Sequence, residues 1–309
     1  MAVNNIYRDI ALANATTQTE LVDNLLEEAP ILAQIPMQPS THGFQNVFEE
    51  ITNVAGAGLI DIDGELPSIG SDGKLNQTDL SILGGTMFVG EDKAQKMGGK
   101  ERYFASKLPS ILSKTGMDVE LSILYNNIRA YALENDKKIN AGGSSDTNYS
   151  ILAVTWKTGE ITGLYDPTGY GNGKVFDMKP VNGGTLYEAT IDGKKVLGYG
   201  MRIKSTIGMQ LANPRYVSSI VNVDVDSATQ KIPTEAQLDE LLLDCRAGAN
   251  TVLYMHPRVL TALYTYKGDQ LQMMGSDTDL NRVIASWNGT PIVTSYNFLA
   301  GTEADVSFA

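Results

Sequence analysis

The feature that most constrains this chain is a long connection, residues 55–74, between two stretches with the alternating pattern of β-strands. The strand-like stretches span residues 44–54 and about 75–89. A compact domain has little use for a connection of this length without secondary structure of its own. The segment is either disordered or an arm that becomes ordered against a neighbouring molecule. Five apolar side chains that are costly to leave in water favour the arm: Leu59, Ile60, Ile62, Leu66 and Ile69.

The composition is that of a globular protein and excludes several classes. The chain has 309 residues, 42% of them hydrophobic, enough for one large domain or two. Its formal net charge is −12 and it lacks a run of Lys and Arg, so we expect a poor nucleic-acid binder, because neutralisation of phosphates dominates that affinity. We expect no membrane association, because neither a membrane-length apolar run nor a signal-peptide pattern is visible. A single Cys excludes an internal disulfide and a Cys-cluster metal site.

The first 42 residues combine a short helix with an extended segment. A helix is predicted from Thr17, because four aliphatic residues at helical spacing follow it and Pro30 ends it. Residues 30–37 are apolar and bracketed by prolines, which indicates extended chain lying on another surface. Five residues of this region are candidate assembly contacts: Leu21, Leu25, Ile31, Leu32 and Ile35.

A long amphipathic helix is the strongest helical pattern in the chain. It is predicted over residues 117–135, with Leu124 on its apolar stripe and Glu120 pointing elsewhere. Helical sequence begins before this segment, but Pro109 and Gly116 are expected to interrupt it. At about 1.5 Å per residue the uninterrupted helix would span nearly 30 Å.

The second half of the chain has a mixed pattern of strands and helices. A helix over 234–247 begins with a capping box formed by Thr234 and Gln237, and a second begins with Pro257 at its first position. A last helix is predicted over 280–286. Strands are predicted over 150–156, 160–165, 195–210, 217–225 and 251–255. The fold class is therefore α+β.

With two histidines and one cysteine, the chain offers few candidate side chains for nucleophilic or general acid–base catalysis. Cys245 and His256 could form the nucleophile and base of an α/β hydrolase or transferase. Their positions, on an apolar helix stripe and before a helix, favour a packed thiol and a helix cap instead. Residues 169–174 resemble a phosphate loop but lack its spacing, and residues 61–65 resemble a calcium loop but lack two ligands. The sequence thus predicts no catalytic residue, no cofactor and no metal site.

Four short segments occur in an order that carries a family resemblance. Residues 31–36 read Ile-Leu-x-x-x-Pro after a helix, and residues 156–169 run from a Trp to Leu-Tyr-Asp-Pro-Thr-Gly. Residues 216–224 read Tyr-Val-x-x-Ile-x-Asn-x-Asp, and Met255-His256-Pro257 is later followed by Gly-Thr-Pro-Ile-Val at 289–293. Together they resemble the major capsid proteins of tailed bacteriophages, which share the Hong Kong 97 fold, and within them a podovirus-type family. The likeness covers nearly the whole chain.

The resemblance implies a layout of four regions. Residues 1–42 would be an N-terminal arm, and residues 43–92 an extended β-hairpin loop reaching over a neighbour. Residues 93–138 would hold a peripheral domain with a long spine helix. That domain is discontinuous, so later strands return to it. Residues 139–309 would form mainly the axial domain.

The resemblance also implies a function. The chain would self-assemble into hexamers and pentamers of an icosahedral phage head that encloses double-stranded DNA without sequence-specific binding. A separate scaffolding protein, a portal and a cement or decoration protein would be its partners. Assembly would take place in the host bacterial cytoplasm, and the protein would end in the virion. An encapsulin-like compartment shell is the alternative within the same fold, and a hydrolase or transferase using Cys245 and His256 is the alternative of another class.

Overall fold

The computed structural model describes most of the chain between residues 29 and 308. The described residues are 29–60, 65–144, 146–167, 176–191, 193–227, 230–264, 271–276, 279–299 and 301–308. The predicted N-terminal helix with Leu21 and Leu25 lies outside them, as do Ile62 and the Gly-rich residues 169–174.

Strands supply most of the regular structure. They are β1 (Met37–Pro39), β2 (Gln45–Ala55), β3 (Gly70–Asp79), β4 (Ser81–Gly90), β5 (Lys138–Asn140), β6 (Tyr149–Thr155), β7 (Ile161–Tyr165), β8 (Phe176–Pro180), β9 (Tyr187–Ile191), β10 (Lys194–Leu211), β11 (Val217–Val223), β12 (Thr251–Met255), β13 (Leu271–Ser276), β14 (Asp279–Trp287) and β15 (Thr290–Thr294). The strands predicted after residue 140 correspond to β6, β7, β10, β11 and β12, so these predictions are confirmed.

The strands form three sheets. A six-stranded sheet has the order β1-β7-β10-β4, with β8 and β9 also paired to the long strand β10. A seven-stranded sheet has the order β13-β14-β15-β12-β6-β11-β5. The third sheet is the hairpin of β2 and β3. Ten consecutive residues of β4 pair antiparallel with β10. This pairing connects a strand that precedes the long helix to a strand that follows it by about 60 residues.

The helices are dominated by one long helix over residues 100–134. The α-helices are α1 (Glu91–Lys96), α2 (Lys100–Ser122), α3 (Ala130–Glu134), α4 (Glu235–Asp244) and α5 (Pro257–Leu263). A π-helical segment, Ile123–Arg129, connects α2 to α3 without a break. At 1.5 Å per residue the long helix measures about 50 Å.

The predicted interruption of this helix is wrong. Pro109 lies inside α2 on an exposed position, so the backbone group whose partner it removes faces water. Gly116 also continues the helix. A Cβ atom on Gly116 would lie 3.6 Å from Cβ of Ala29, so the N-terminal segment passes close to the helix at this glycine.

Two apolar cores lie on opposite faces of the seven-stranded sheet. One contains Trp287 and the buried faces of α4 and α5. The other contains Leu124 and Ile128 of the long helix, together with Trp156 of the sheet. The long helix is therefore attached to the seven-stranded sheet by its C-terminal third, within the predicted apolar stripe.

The C-terminal part holds both a confirmed and a corrected prediction. The capping box of α4 forms as predicted: Thr234 Oγ1 accepts from the backbone N–H of Gln237, whose side chain accepts from the backbone N–H of Thr234. The helix predicted over 280–286 is wrong, because this segment is β14 and pairs with both β13 and β15. A short apolar run is ambiguous between helix and strand, and here the neighbouring strands decide.

Candidate assembly surfaces

The hairpin of β2 and β3 forms a two-stranded sheet of its own. Gln45 pairs with Asp79 at its base and Ala55 with Gly70 at its far end. At about 3.3 Å per residue, β2 is roughly 35 Å long. All its side chains from Glu49 onward are exposed, so cross-strand hydrogen bonds hold this half without apolar packing. Such a ribbon is at best marginally stable in water.

The hairpin tip, residues 56–60 and 65–69, presents apolar side chains to solvent. Leu59 is fully exposed, Leu66 is 80% exposed, Ile69 is 67% exposed and Ile60 is 44% exposed. These four residues are members of the set predicted to contact a neighbouring molecule. Clustered exposed apolar side chains of this size mark interaction sites on soluble proteins.

The base of the hairpin is tied to the six-stranded sheet by a buried amide chain. Asn46 Nδ2 donates to Gln210 Oε1 at 2.7 Å, and Gln210 Nε2 donates to the Gly159 carbonyl oxygen at 2.6 Å. Asn46 Oδ1 accepts from the backbone N–H of Thr41 at 3.2 Å. Because these groups are buried, breaking one bond leaves an unsatisfied polar atom, which fixes the start of the hairpin on the subunit.

The apolar N-terminal segment packs mainly on its own chain. Ile31 is fully buried and Ile35 nearly so, in the core that also holds Trp156. Leu32 is partly buried against the same core. The predicted extended chain over 30–37 contains a short 3-10 turn, Leu32–Gln34, before β1 begins. The structure therefore places Ile31 and Ile35 in the core of their own subunit.

A buried carboxylate, Glu120, connects three parts of the chain. Its side chain accepts from the backbone N–H of Ile31 at 2.9 Å and from Asn297 Nδ2 at 3.0 Å. The hydroxyl of Ser295 donates to it as well. The N-terminal segment, the long helix and the loop after β15 are thus held at one point. The prediction that Glu120 points away from the apolar stripe is wrong, because the residue is fully buried.

A second buried carboxylate, Glu303, joins the C-terminal segment to the long helix. It accepts from the hydroxyls of Tyr125 and Ser150, and its Oε2 lies 3.4 Å from Nη2 of Arg129. Burial raises the pKa of Glu303, and this effect exceeds the opposite effects of the two hydroxyl donors and Arg129. Burial and the carboxylate also raise the pKa of Tyr125, so its phenol remains a donor at neutral pH.

A family model decides the identity of the chain. The model for the major capsid protein GP7 matches residues 119–307, more than half of the sequence. The chain belongs to this family of major capsid proteins. Its role is therefore structural: it is a component of a tailed-phage capsid and assembles with copies of itself.

Solved structures show the same fold for this capsid protein. A chain of bacteriophage epsilon15 is 15% identical, covers 94% of this chain and 92% of its own, and aligns with a TM-score of 0.59. A chain of the bacteriophage JBD30 capsid is 10% identical, covers 93% and 98%, and aligns with a TM-score of 0.51. These alignments confirm the predicted α+β fold of the Hong Kong 97 type. A search among curated proteins found no match.

The alternative nucleophile pair is not assembled in this capsid protein. Cys245 is fully buried at the end of α4, and its Sγ contacts the Leu242 carbonyl oxygen. Burial raises the pKa of this thiol to about 11, so it stays protonated at neutral pH. Nδ1 of His256 accepts from the backbone N–H of Arg258 at the start of α5. The two residues are a packed thiol and a helix cap.

The described residues hold neither a cluster of three potential metal-ligating His, Cys, Asp or Glu side chains nor a helix long and apolar enough to span a membrane.

The sequence did not predict the buried structural roles of two residues, Glu120 and Glu303. Glu120 lies four residues before Leu124, on the apolar stripe itself, so helical spacing could have found it. Glu303 follows the last strand, and no local pattern marks it.

Proposed function

We propose that this capsid protein forms the hexamers and pentamers of an icosahedral phage head that encloses double-stranded DNA. The observation that carries the proposal is the hairpin tip, with Leu59 and Leu66 exposed at the end of a ribbon about 35 Å long. On a neighbouring subunit these side chains would be buried. Repeated around a closed symmetric surface, such contacts add to a stable shell.

The layout proposed for the subunit follows the sheets. Residues 1–42 are the N-terminal arm and residues 43–92 the extended loop. The peripheral domain comprises the long helix and the strands β7, β8, β9 and β10, which return to it from later in the chain. β1 of the arm and β4 of the loop complete its six-stranded sheet by pairing with β7 and β10. The axial domain is built on the seven-stranded sheet. The discontinuous peripheral domain implied by the resemblance is consistent with this pairing.

The charge of the chain suits a container for DNA. With 24 Lys and Arg against 36 Asp and Glu, the subunit offers no net attraction to phosphate, as suits a wall that encloses DNA without holding it. The proposal includes a separate scaffolding protein, a portal and a cement or decoration protein as partners, and assembly in the host bacterial cytoplasm.

Removal of the hairpin tip tests the proposal. The deletion removes residues 56–69, because β2 ends at Ala55 and β3 begins at Gly70. Because Ala55 pairs with Gly70, an Asn-Gly turn can close the shortened hairpin. The variant is expected to be soluble and folded, yet unable to close shells when mixed with scaffolding protein.

A second variant separates the length of the tip from its chemistry. It keeps the full length of the tip, but Leu59, Ile60, Leu66 and Ile69 are each replaced by Ser. This variant is also expected to fail in assembly. Electron microscopy counts closed particles, and circular dichroism confirms the fold of each subunit. Normal particles from either variant would show that the tip is not an assembly contact.

A further inference from the structure

An apolar groove of about 570 Å³ lies between the long helix and the six-stranded sheet. One face of the helix supplies Leu112, Gly116 and Val119, and the sheet supplies Leu83 and Ile207. Among the lining residues Thr115 alone carries a polar side chain. The groove therefore suits an aliphatic occupant and offers little to a polar one.

The groove is open to solvent at its outer end. Leu112 is 39% exposed, and Met178 on the opposite wall is 50% exposed. Ile111, next to Leu112 on the helix, is also exposed. An exposed apolar surface of this kind marks a site to which another segment or molecule binds.

The described chain enters at the edge of this groove. The Cβ of Ala29 lies 3.6 Å from the position that a Cβ on Gly116 would take, and Cδ1 of Leu32 lies 3.9 Å from it. Two residues after Ala29, the backbone N–H of Ile31 donates to Glu120, one turn further along the helix. From residue 29 to residue 31 the chain therefore advances in the same direction as the long helix. Followed backwards, it leads from Gly116 towards Leu112.

The segment immediately upstream has the matching pattern. Leu21, Val22, Leu25 and Leu26 share one face at helical spacing. In a helix, at 1.5 Å per residue, Leu25 would lie about 6 Å before Ala29, the same distance that separates Leu112 from Gly116. A helix continuing this direction would bring Leu25 and Leu26 beside Leu112, and its opposite face would carry polar residues such as Asp23.

We propose that residues 17–28 form a helix that docks its aliphatic face into this groove of the same chain. The direct connection through Ala29 gives the segment a high local concentration at the groove, which a segment of a neighbouring subunit does not have. The exposed wall around Leu112 is then covered within each subunit. Contacts with neighbours are then left to the hairpin tip.

Disulfide trapping in the full-length chain tests the docking. A disulfide requires Cα atoms within about 7 Å, so Leu25→Cys combined with Leu112→Cys reports direct proximity. Oxidation is expected to link the two within one chain, seen as a faster-migrating monomer on a non-reducing gel. The matched control is Asp23→Cys with Leu112→Cys, which places the thiol on the polar face and is expected to link at least about tenfold more slowly.

Three outcomes would overturn the docking. They are equal linking of the Leu25 and Asp23 variants, an absence of linking in both the Leu25 variant and a Leu26→Cys variant, and disulfides that join two chains. Mixing the Leu25→Cys protein with the Leu112→Cys protein detects the last of these. Linked dimers from that mixture would mean that the groove receives the segment of a neighbour.

Alkylation of Leu112→Cys gives a readout that needs no disulfide. In the full chain the docked helix is expected to protect this thiol, and adding Leu25→Asp and Leu26→Asp is expected to raise the alkylation rate by about tenfold or more. Asp23→Asn is the control and should leave the rate unchanged. An equal rate in all three proteins would contradict the docking. Circular dichroism shows that each protein is folded.

Discussion

Replacement of two exposed leucines at the hairpin tip should weaken assembly without weakening the subunit. Leu59 is fully exposed and Leu66 is 80% exposed, so Leu59→Ser with Leu66→Ser removes apolar surface that makes almost no contact within the described subunit. The melting temperature of the isolated subunit is therefore expected to stay the same. Any loss will appear only where a neighbouring subunit covers the tip.

The size of the loss follows from the area concerned. Full burial of one leucine side chain is worth about 1.5–3 kcal/mol, so the two together contribute about 3–6 kcal/mol per subunit in the shell. A factor of ten in concentration corresponds to about 1.4 kcal/mol. The subunit concentration needed for assembly should therefore rise by a factor of roughly 10² to 10⁴.

Light scattering over a series of subunit concentrations, at a fixed ratio of scaffolding protein, measures this threshold. Glu65→Ser, at an exposed polar position of the same tip, is the matched control and should leave the threshold within about twofold. An unchanged threshold for the double leucine variant would refute the reasoning. A lowered melting temperature of its subunit would refute it too, because the side chains would then stabilise the monomer.

Three further predictions concern the subunit itself. Glu120→Ala removes the carboxylate to which three buried groups donate and should lower the free energy of unfolding by about 3–5 kcal/mol in urea titrations, whereas the exposed neighbour Asp118→Ala should cost at most about 0.5 kcal/mol. Because burial raises the pKa of Glu303 above its usual value near 4.5, the folded state retains a proton that the unfolded state releases. Its contribution to stability is thus present in acid and lost as the pH rises through the raised pKa; Glu303→Gln should remove this dependence, and identical pH profiles would contradict it. Thr234→Ala should cost about 1 kcal/mol by loss of the capping box, and Thr234→Ser should restore most of it, as thermal melts can check.

Local chemistry explains the parts of the fold that could be predicted from the sequence. The capping box at Thr234 involves groups three residues apart, so its geometry depends on little else. The buried strands β6 and β11 are rich in Val and Ile and have turn residues at their ends. The unusual connection at 55–74 stood out because no compact domain needs it, and residues 56–60 and 65–69 are described without strand or helix.

Tertiary contacts explain the parts that could not be predicted. Pro109 and Gly116 are poor helix residues, yet the long helix continues through both, because it is packed on either side of them: Phe104 is buried before them, and Leu124 and Ile128 are buried after them. The segment 280–286 becomes a strand because β13 and β15 lie on either side. Glu303 becomes a buried partner of Arg129 although 174 residues separate them, and no short pattern reports such a pair.

Electron microscopy of the purified chain, alone and with scaffolding protein, together with light scattering for mass, tests the central claim most directly. We expect closed particles hundreds of ångströms across, or hexamers and pentamers on the way to them. A monomer of 33.4 kDa that persists under all conditions, scaffolding protein included, would contradict the proposed assembly.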